Sequence, residues 1–247
     1  MEKLEEKPLV SIIIPTYNSQ ETIERCLQSI KDQTYKEIET IVVDRHSEDT
    51  TMQIVKRFKT KLLFVTRERS TGKNYAAKRA QGKFLLFIDS DMTLAPKTVE
   101  ECVSKCKKTN ADAMIIPLKS TSQGLLGECR KIERESLSDL SEFMEVPRFF
   151  RKTAFLTTGG FDENLVCGED FDLSQRFKKM GYKIDKITSA VLHFEGNPSL
   201  YNVLSKAYYY GKTLPELLKK RPQETVKRYA TIRLASMKIT GVVFKNI

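Results

Sequence analysis

At 247 residues, 40% hydrophobic and 30% charged, the chain has the composition of an ordinary globular protein with room for one large α/β domain. No apolar run reaches the roughly 20 residues that a membrane-spanning helix needs, and Met1 to Pro8 is charged rather than leader-like. The net charge of +10 is uneven: from Tyr201 to Ile247 ten Lys or Arg face only Glu216 and Glu224, while the first 200 residues carry 32 basic against 30 acidic side chains. The charge pattern is that of a near-neutral body with a basic tail. Five cysteines, odd in number and without a Cys-x-x-Cys pair, speak against a disulfide framework and for a reduced, cytoplasmic protein.

The first half alternates strand and helix. Leu9 to Ile14 reads as a strand ended by Pro15, and Ser19 or Asn18 caps a helix that carries Ile23, Leu27 and Ile30 on one face. Ile38 to Val43 is a second strand, followed by a polar turn and a helix from about Asp49 to Phe58. Lys61 to Val65 is a third strand, and a loop with Gly72 leads into a helix through Ala76, Ala77 and Ala80. Phe84 to Ile88 is a fourth, fully apolar strand; Pro96 opens a helix to about Lys108, and Ala111 to Ile116 is a fifth strand. Such repeated units predict a parallel sheet covered on both faces. After Pro117 the alternation breaks. Gly124 to Glu145 reads as helical and Arg148 to Thr158 as strand; Gly159 to Glu163 is a loop, and Phe171 to Met180 is an amphipathic helix capped by Gly181. Short strands near Lys183 and Val191 precede His193, and the tail from Ser199 is helical with breaks at Thr213-Leu214-Pro215 and Arg221-Pro222.

The fourth strand runs straight into Asp89-Ser90-Asp91. Two carboxylates two residues apart at a strand's carboxyl end lie where open α/β sheets bind ligands, and a divalent cation carrying phosphate oxygens relieves their repulsion. Three more polar clusters follow strands: Pro15-Thr16-Tyr17-Asn18, Asp44-Arg45-His46-Ser47 and Gly72-Lys73-Asn74. Together they describe a nucleotide pocket, with Tyr17 to stack, Asp44 to accept a hydrogen from base or ribose and Lys73 to meet phosphate.

These residues, in this order, resemble the family 2 inverting glycosyltransferases of the GT-A fold. The matching stretches are Val10 to Asn18, Ile41 to Asp44 with Ser47 and Asp49-Thr50, Lys73-Asn74 with Ala80-x-Gly82, Asp89-Ser90-Asp91, Gly159-Gly160-Phe161-Asp162-Glu163 and Gly168-Glu169-Asp170. The resemblance covers about Pro8 to His193. It implies a Rossmann-like, mostly parallel sheet with helices on both faces. It divides the chain into a catalytic domain over 1–198, with a nucleotide half at about 8–116 and an acceptor half at 117–198, and a basic helical tail over 199–247. It implies that Pro15, Thr16, Tyr17, Asn18, Asp44, Lys73, Asn74, Asp89 and Ser90 bind the nucleotide sugar. Asp91, with Asp89 and His193, would hold Mn²⁺ or Mg²⁺ on the diphosphate. Asp170, beside Glu169, would be the general base on an acceptor hydroxyl of a glycan or lipid-linked saccharide.

The departures are Arg45 and His46, where relatives carry an acid, Asn or Gly and then often Gly, and Ser19, where acids are frequent. They leave the base open between UDP, GDP and dTDP. The tail resembles the segment after the catalytic domain in membrane-associated members, and its basic and apolar residues fit an anionic membrane surface at the cytoplasmic face. Within the family a polyprenyl-phosphate acceptor stays open, and three readings differ in class: a phosphohydrolase, a nucleic-acid-binding module, and a nucleotidyltransferase, whose Gly-rich, Lys/Arg-bearing loop after the first strand is not what Pro15-Thr16-Tyr17-Asn18 offers. A polyprenyl-phosphate acceptor would need no Asp170. A haloacid-dehalogenase-type phosphohydrolase would use Asp89 as nucleophile, since Phe87 to Leu94 matches its motif, although that motif should follow the first strand. A nucleic-acid-binding module has no zinc or RNA-sheet signature behind it.

Overall fold

The computed structural model describes residues 7–124, 126–129, 131 and 146–230. Seven strands form the central sheet in the order β3-β2-β1-β4-β8-β6-β9. Strands β1 (Val10–Thr16), β2 (Ile38–Asp44), β3 (Lys61–Phe64) and β4 (Phe84–Phe87) are mutually parallel. Strand β8 (Pro147–Arg151) runs antiparallel to β4 and to β6 (Ala113–Ile115), and β9 (Ile184–Lys186) pairs parallel with β6. A small second sheet sets β10 (Val191–Phe194) between β5 (Met92–Leu94) and β7 (Leu118–Thr121). This is the mixed α/β, mostly parallel arrangement that the strand-helix alternation predicts.

The period of two along β1 divides the core. Val10, Ile12 and Ile14 face one side, with α1 (Ile23–Lys31) and α4 (Thr98–Thr109) over them; Ile13 faces the other, under α3 (Arg69–Arg79), α5 (Lys152–Thr157) and α6 (Glu169–Lys179). Helix α1 buries Ile23, Cys26, Leu27 and Ile30, one stripe at helical spacing. Cys102 and Cys106 are fully buried in the first cluster. A short helix, α2 (Thr51–Val55), follows β2.

Several elements differ from the sequence expectation. Pro15 lies inside β1 rather than ending it, because pairing with β4 stops at Ile13↔Phe87 and no ladder bond is asked of its nitrogen. Helix α1 begins at Ile23, with Thr22 and Ile23 bonding back to the Ser19 carbonyl, so neither Ser19 nor Asn18 is its cap. Gly72, Lys73 and Asn74 belong to α3 rather than to a loop. Gly72 lets that helix approach the sheet, since a β-carbon there would meet Val43 Cγ1 at 3.2 Å and Val65 Cγ2 at 3.3 Å. Arg148 to Thr158 is strand only to Arg151 and helix from Lys152, which folds Phe155 back onto Phe150 and Phe161. Most of the helix expected over Gly124 to Glu145 lies outside the described residues, as does the tail beyond 230.

Helices α7 (Leu200–Gly211) and α8 (Leu214–Lys220) and a helical stretch at 222–230 follow. They dock on the rest of the protein. Thr213 Oγ1 accepts from the nitrogens of Val166 (3.1 Å) and Cys167 (3.3 Å), and Leu217 is buried with Leu165 and Phe171. Arg221 Nε donates to Asp172 Oδ1 at 2.7 Å in a buried pair, while Arg176 Nε takes the other oxygen at 2.8 Å. No helix among the described residues is long and apolar enough to cross a membrane.

Two glycines make a stability test. A β-carbon at Gly82 would sit 2.6 Å from the Ser11 nitrogen and 2.8 Å from the Phe84 oxygen, whereas one at Gly211 meets nothing within 4 Å. In thermal unfolding, Gly82→Ala is expected to cost about 1–3 kcal/mol or more, and Gly211→Ala to add about 0.4–1 kcal/mol.

Candidate active site

The carboxyl ends of β1 and β4 open into a cleft of about 600 Å³, whose other walls come from 165–171, α7 and the stretch at 222–230. Pro15, Thr16, Tyr17, Asp89, Ser90, Asp91, Glu169, Asp170 and His193, all singled out from the sequence, line it. Asn18, Asp44, Lys73 and Asn74 are not among its lining residues.

Asp44 is fully buried, and its carboxylate accepts from Thr16 Oγ1 (2.9 Å), the Ser47 nitrogen (2.7 Å) and Ser47 Oγ (2.6 Å). Asn18 ties the same loop, donating from its nitrogen to Ser47 Oγ (2.9 Å) and accepting at Oδ1 from the Glu48 nitrogen (3.0 Å). Where relatives often carry Gly, His46 takes a left-handed φ of 56° and stacks on Phe64 with 5.6 Å between ring centroids. Lys73 and Asn74 serve the loop at 159–163. Lys73 lies over the Phe161 ring at 4.8 Å, and Asn74 exchanges hydrogen bonds with the Phe161 backbone at 2.8 and 2.9 Å.

Tyr17 is 47% exposed, with the Arg45 guanidinium 4.1 Å from its ring centroid. Arg45 reaches Glu68 at 3.3 Å, and Glu68 Oε2 accepts from the Tyr209 hydroxyl at 2.5 Å. A continuous polar chain therefore joins the loop after β1 to helix α7.

Four acids crowd the cleft's centre. Arg69 bridges two of them, with Nη1 3.6 Å from Asp89 Oδ1 and Nη2 2.8 Å from Glu169 Oε1. Lys73 Nζ stands 3.6 Å from Glu169 and 3.8 Å from Asp170. Burial works against ionised Asp89, but Arg69, Lys73, Arg148 and His193 outweigh it and hold its carboxyl well below the usual range. Glu169 goes the other way: burial, then the Asp170 charge, push it up against Arg69 and Lys73. Glu169 is buried and locked, while Asp170 remains partly open to the cleft.

Asp91 Oδ2 lies 3.2 Å from His193 Nε2, and His193 Nδ1 lies 3.0 Å from Glu195 Oε1. Asp91 Oδ1 is buried with no hydrogen-bond partner among the described residues. That orphaned oxygen fits a hard divalent cation. Among the described residues no cluster of three or more His, Cys, Asp and Glu side chains forms a metal cage. Mg²⁺-type ions need none, since they bind through one or two carboxylates and complete their shell with substrate phosphates. A carboxylate on the far ring nitrogen, as Glu195 supplies to His193, is a common support for a metal-facing His.

Sequence reasoning missed Arg69, Glu195, Tyr209 and Tyr210. Only Glu195 left a signal, lying two residues from His193 on the same face of an extended segment. Tyr210 lines the cleft; burial pushes its phenol up, with Asp89 and Asp91 adding to the rise and Arg69 opposing it.

The glycosyl transferase family 2 model matches residues 11–161, more than half of the chain, and the chain belongs to that family. Over 217 residues it is 30% identical to poly(ribitol-phosphate) beta-N-acetylglucosaminyltransferase TarS of Staphylococcus aureus, covering 81% of this chain and 35% of that protein. Over 194 residues it is 29% identical to glycosyltransferase AglE of Haloferax volcanii, covering 72% and 64%. The chain thus spans about a third of one relative and under two thirds of the other. Among solved structures, S. aureus TarS 1-349 in complex with UDP superposes with a TM-score of 0.62 at 23% identity, covering 75% of this chain and 60% of that one. The mannosyltransferase PcManGT from Pyrobaculum calidifontis, in complex with GDP-Man and Mn²⁺, gives 0.67 at 18% identity, covering 98% and 82%. At these identities the likeness shows the shared GT-A fold. The family match and the three strands that precede β4 leave the phosphohydrolase reading without its context.

Tyr209→Phe removes the hydroxyl that joins α7 to Glu68. Losing one such bond, about 1–1.4 kcal/mol, is expected to speed amide exchange in α7 about 5- to 10-fold while β1 and β4 keep their protection.

Proposed function

We propose that the protein transfers a sugar from a nucleoside-diphosphate sugar to an acceptor hydroxyl on a glycan or lipid-linked saccharide, with inversion. One observation carries the reading: among the described residues no donor meets the buried Oδ1 of Asp91, in the same cleft that the partly open Asp170 lines. The base and ribose would lie against Pro15, Thr16 and Tyr17, near Ser90, at the carboxyl ends of β1 and β4. Asp91 would hold Mn²⁺ or Mg²⁺, with Asp89 and His193 beside it and Glu195 fixing the imidazole. Bound there, the cation supplies Lewis-acid stabilisation of the departing diphosphate. The ligands of the compared structures, UDP for TarS and GDP-Man with Mn²⁺ for PcManGT, favour a nucleotide donor and a divalent ion without choosing the base.

Asp170 would take the proton of the acceptor hydroxyl as its oxygen bonds the anomeric carbon and the bond to the diphosphate breaks. With one base and no protein nucleophile, a single displacement inverts the anomeric centre. Glu169 is too buried and too tightly paired to share that role, and it positions Arg69 and Lys73 instead. A phosphate nucleophile would leave Asp170 idle, so the hydroxyl acceptor is preferred to polyprenyl phosphate.

Residues 8–116 would serve the donor and 117–198 the acceptor. The segment from 199 would complete the cleft and meet an anionic, cytoplasmic membrane surface, since α7 leaves Leu200, Tyr201, Leu204 and Tyr208 exposed, with Lys212 beside Tyr208.

Calorimetric titration with a panel of nucleoside diphosphates and Mn²⁺ is expected to find one tight binder, lost with EDTA and in Asp91→Ala. Asp170→Asn should keep that binding while transfer falls about 10²- to 10⁴-fold. Vesicles of anionic lipid should retain the wild type and release Leu204→Ser. No nucleotide bound, with metal-dependent phosphate release from a simple phosphomonoester, would overturn the reading.

A further inference from the structure

Tyr208, Tyr209 and Tyr210 follow one another in α7, and a helical turn of about 100° per residue sends the three rings to different places. Tyr208 is 74% exposed, with Lys212 Nζ 5.2 Å from its ring centroid. Tyr209 is the anchor, since its hydroxyl donates to Glu68 Oε2. Tyr210 packs edge-on against Tyr209, with 5.5 Å between centroids, and lines the cleft. Among the described residues its hydroxyl makes no hydrogen bond. The bond that Tyr209 makes therefore holds at the cleft a second phenol whose own proton is uncommitted.

Burial, with the charges of Asp89 and Asp91, keeps that phenol protonated against the pull of Arg69, so it faces the carboxylates as a neutral donor. A lysine in its place would pair with those carboxylates and compete with a cation for them. A diphosphate carried on a cation at Asp91 brings phosphate oxygens to this part of the cleft, and each needs donors as it leaves water. We infer that Tyr210 donates its hydroxyl hydrogen to the β-phosphate of the nucleoside diphosphate, so that α7 closes on the leaving group of the donor. Tyr210 is then a substrate-contacting residue outside the motifs that follow β1, β2 and β4. It grips the diphosphate without adding charge and without taking an oxygen from the cation. The inference rests on the glycosyltransferase reading above, and it adds a donor contact supplied by the C-terminal helices.

The test is calorimetry on the full chain with Mn²⁺, comparing the nucleoside diphosphate that binds most tightly with the monophosphate of the same base. Tyr210→Phe keeps the ring and removes only the hydroxyl. It is expected to weaken the diphosphate about ten-fold or more and to move the monophosphate by less than about two-fold. Tyr208→Phe, which removes an exposed hydroxyl one residue away, should change neither. A second measurement needs no variant: in the unsubstituted protein, saturating diphosphate with Mn²⁺ should slow amide exchange over 200–211, and saturating monophosphate should not. It decides the matter even if Tyr210→Phe fails to fold. Equal losses of the two nucleotides in Tyr210→Phe, an unchanged diphosphate affinity, or equal protection of α7 by both nucleotides would overturn the inference and leave the glycosyltransferase reading standing. If neither nucleotide binds, that reading falls and the inference falls with it.

Discussion

Arg69 stands at the first position of α3 and holds together carboxylates from distant parts of the chain, Asp89 after β4 and Glu169 at the start of α6. Four acids in one cleft repel each other, and each lost solvation on folding. Arg69 and the buried Lys73 between them touch three of the four. The fourth, Asp91, shares one oxygen with His193 and leaves the other unmet. The protein thus neutralises three of the acids that frame the site, and among the described residues Asp91 Oδ1 has no donor.

The same economy governs the second half. Gly168, at φ 81°, turns the chain so that Glu169 points into the protein and Asp170 towards the cleft, and it leaves room for Leu217. Leu217, Thr213 and Arg221 then anchor the C-terminal helices over that turn, and Tyr209 closes the far side through Glu68. Removing those helices would unroof the cleft and leave Asp172 without Arg221. What reads in the sequence as a basic tail is, in its first thirty residues, a wall of the site.

Much of this was legible because it is local. Continuous apolar runs mark the parallel strands, and polar residues that follow β1 and β4 line the cleft. The acids Asp89 and Asp91 stand out by their place after the fourth strand, and Asp170 through the family resemblance. What stayed hidden depends on contacts between distant residues. Nothing near Arg69 says that it will meet Glu169, and Tyr209 finds Glu68 across 141 residues. Gly72 looked like a loop residue because its reason for being Gly, the closeness of Val43 and Val65, lies in other strands. Asp44 and Lys73, expected at the nucleotide sugar, are both buried and already hold partners in Thr16, Ser47 and Glu169.

The chain has two histidines, and only one of them faces the carboxylates. His46 stacks on Phe64 at the outer end of β2, so the pair forms an internal ruler for a paramagnetic ion. Imidazole proton resonances, assigned with His46→Gln and His193→Gln, would be followed while Mn²⁺ is added with and without the nucleoside diphosphate that binds. His193 is expected to broaden first, and at far lower Mn²⁺ when the nucleotide is present, while His46 lags. Equal broadening of both, or broadening of His193 that ignores the nucleotide, would contradict it.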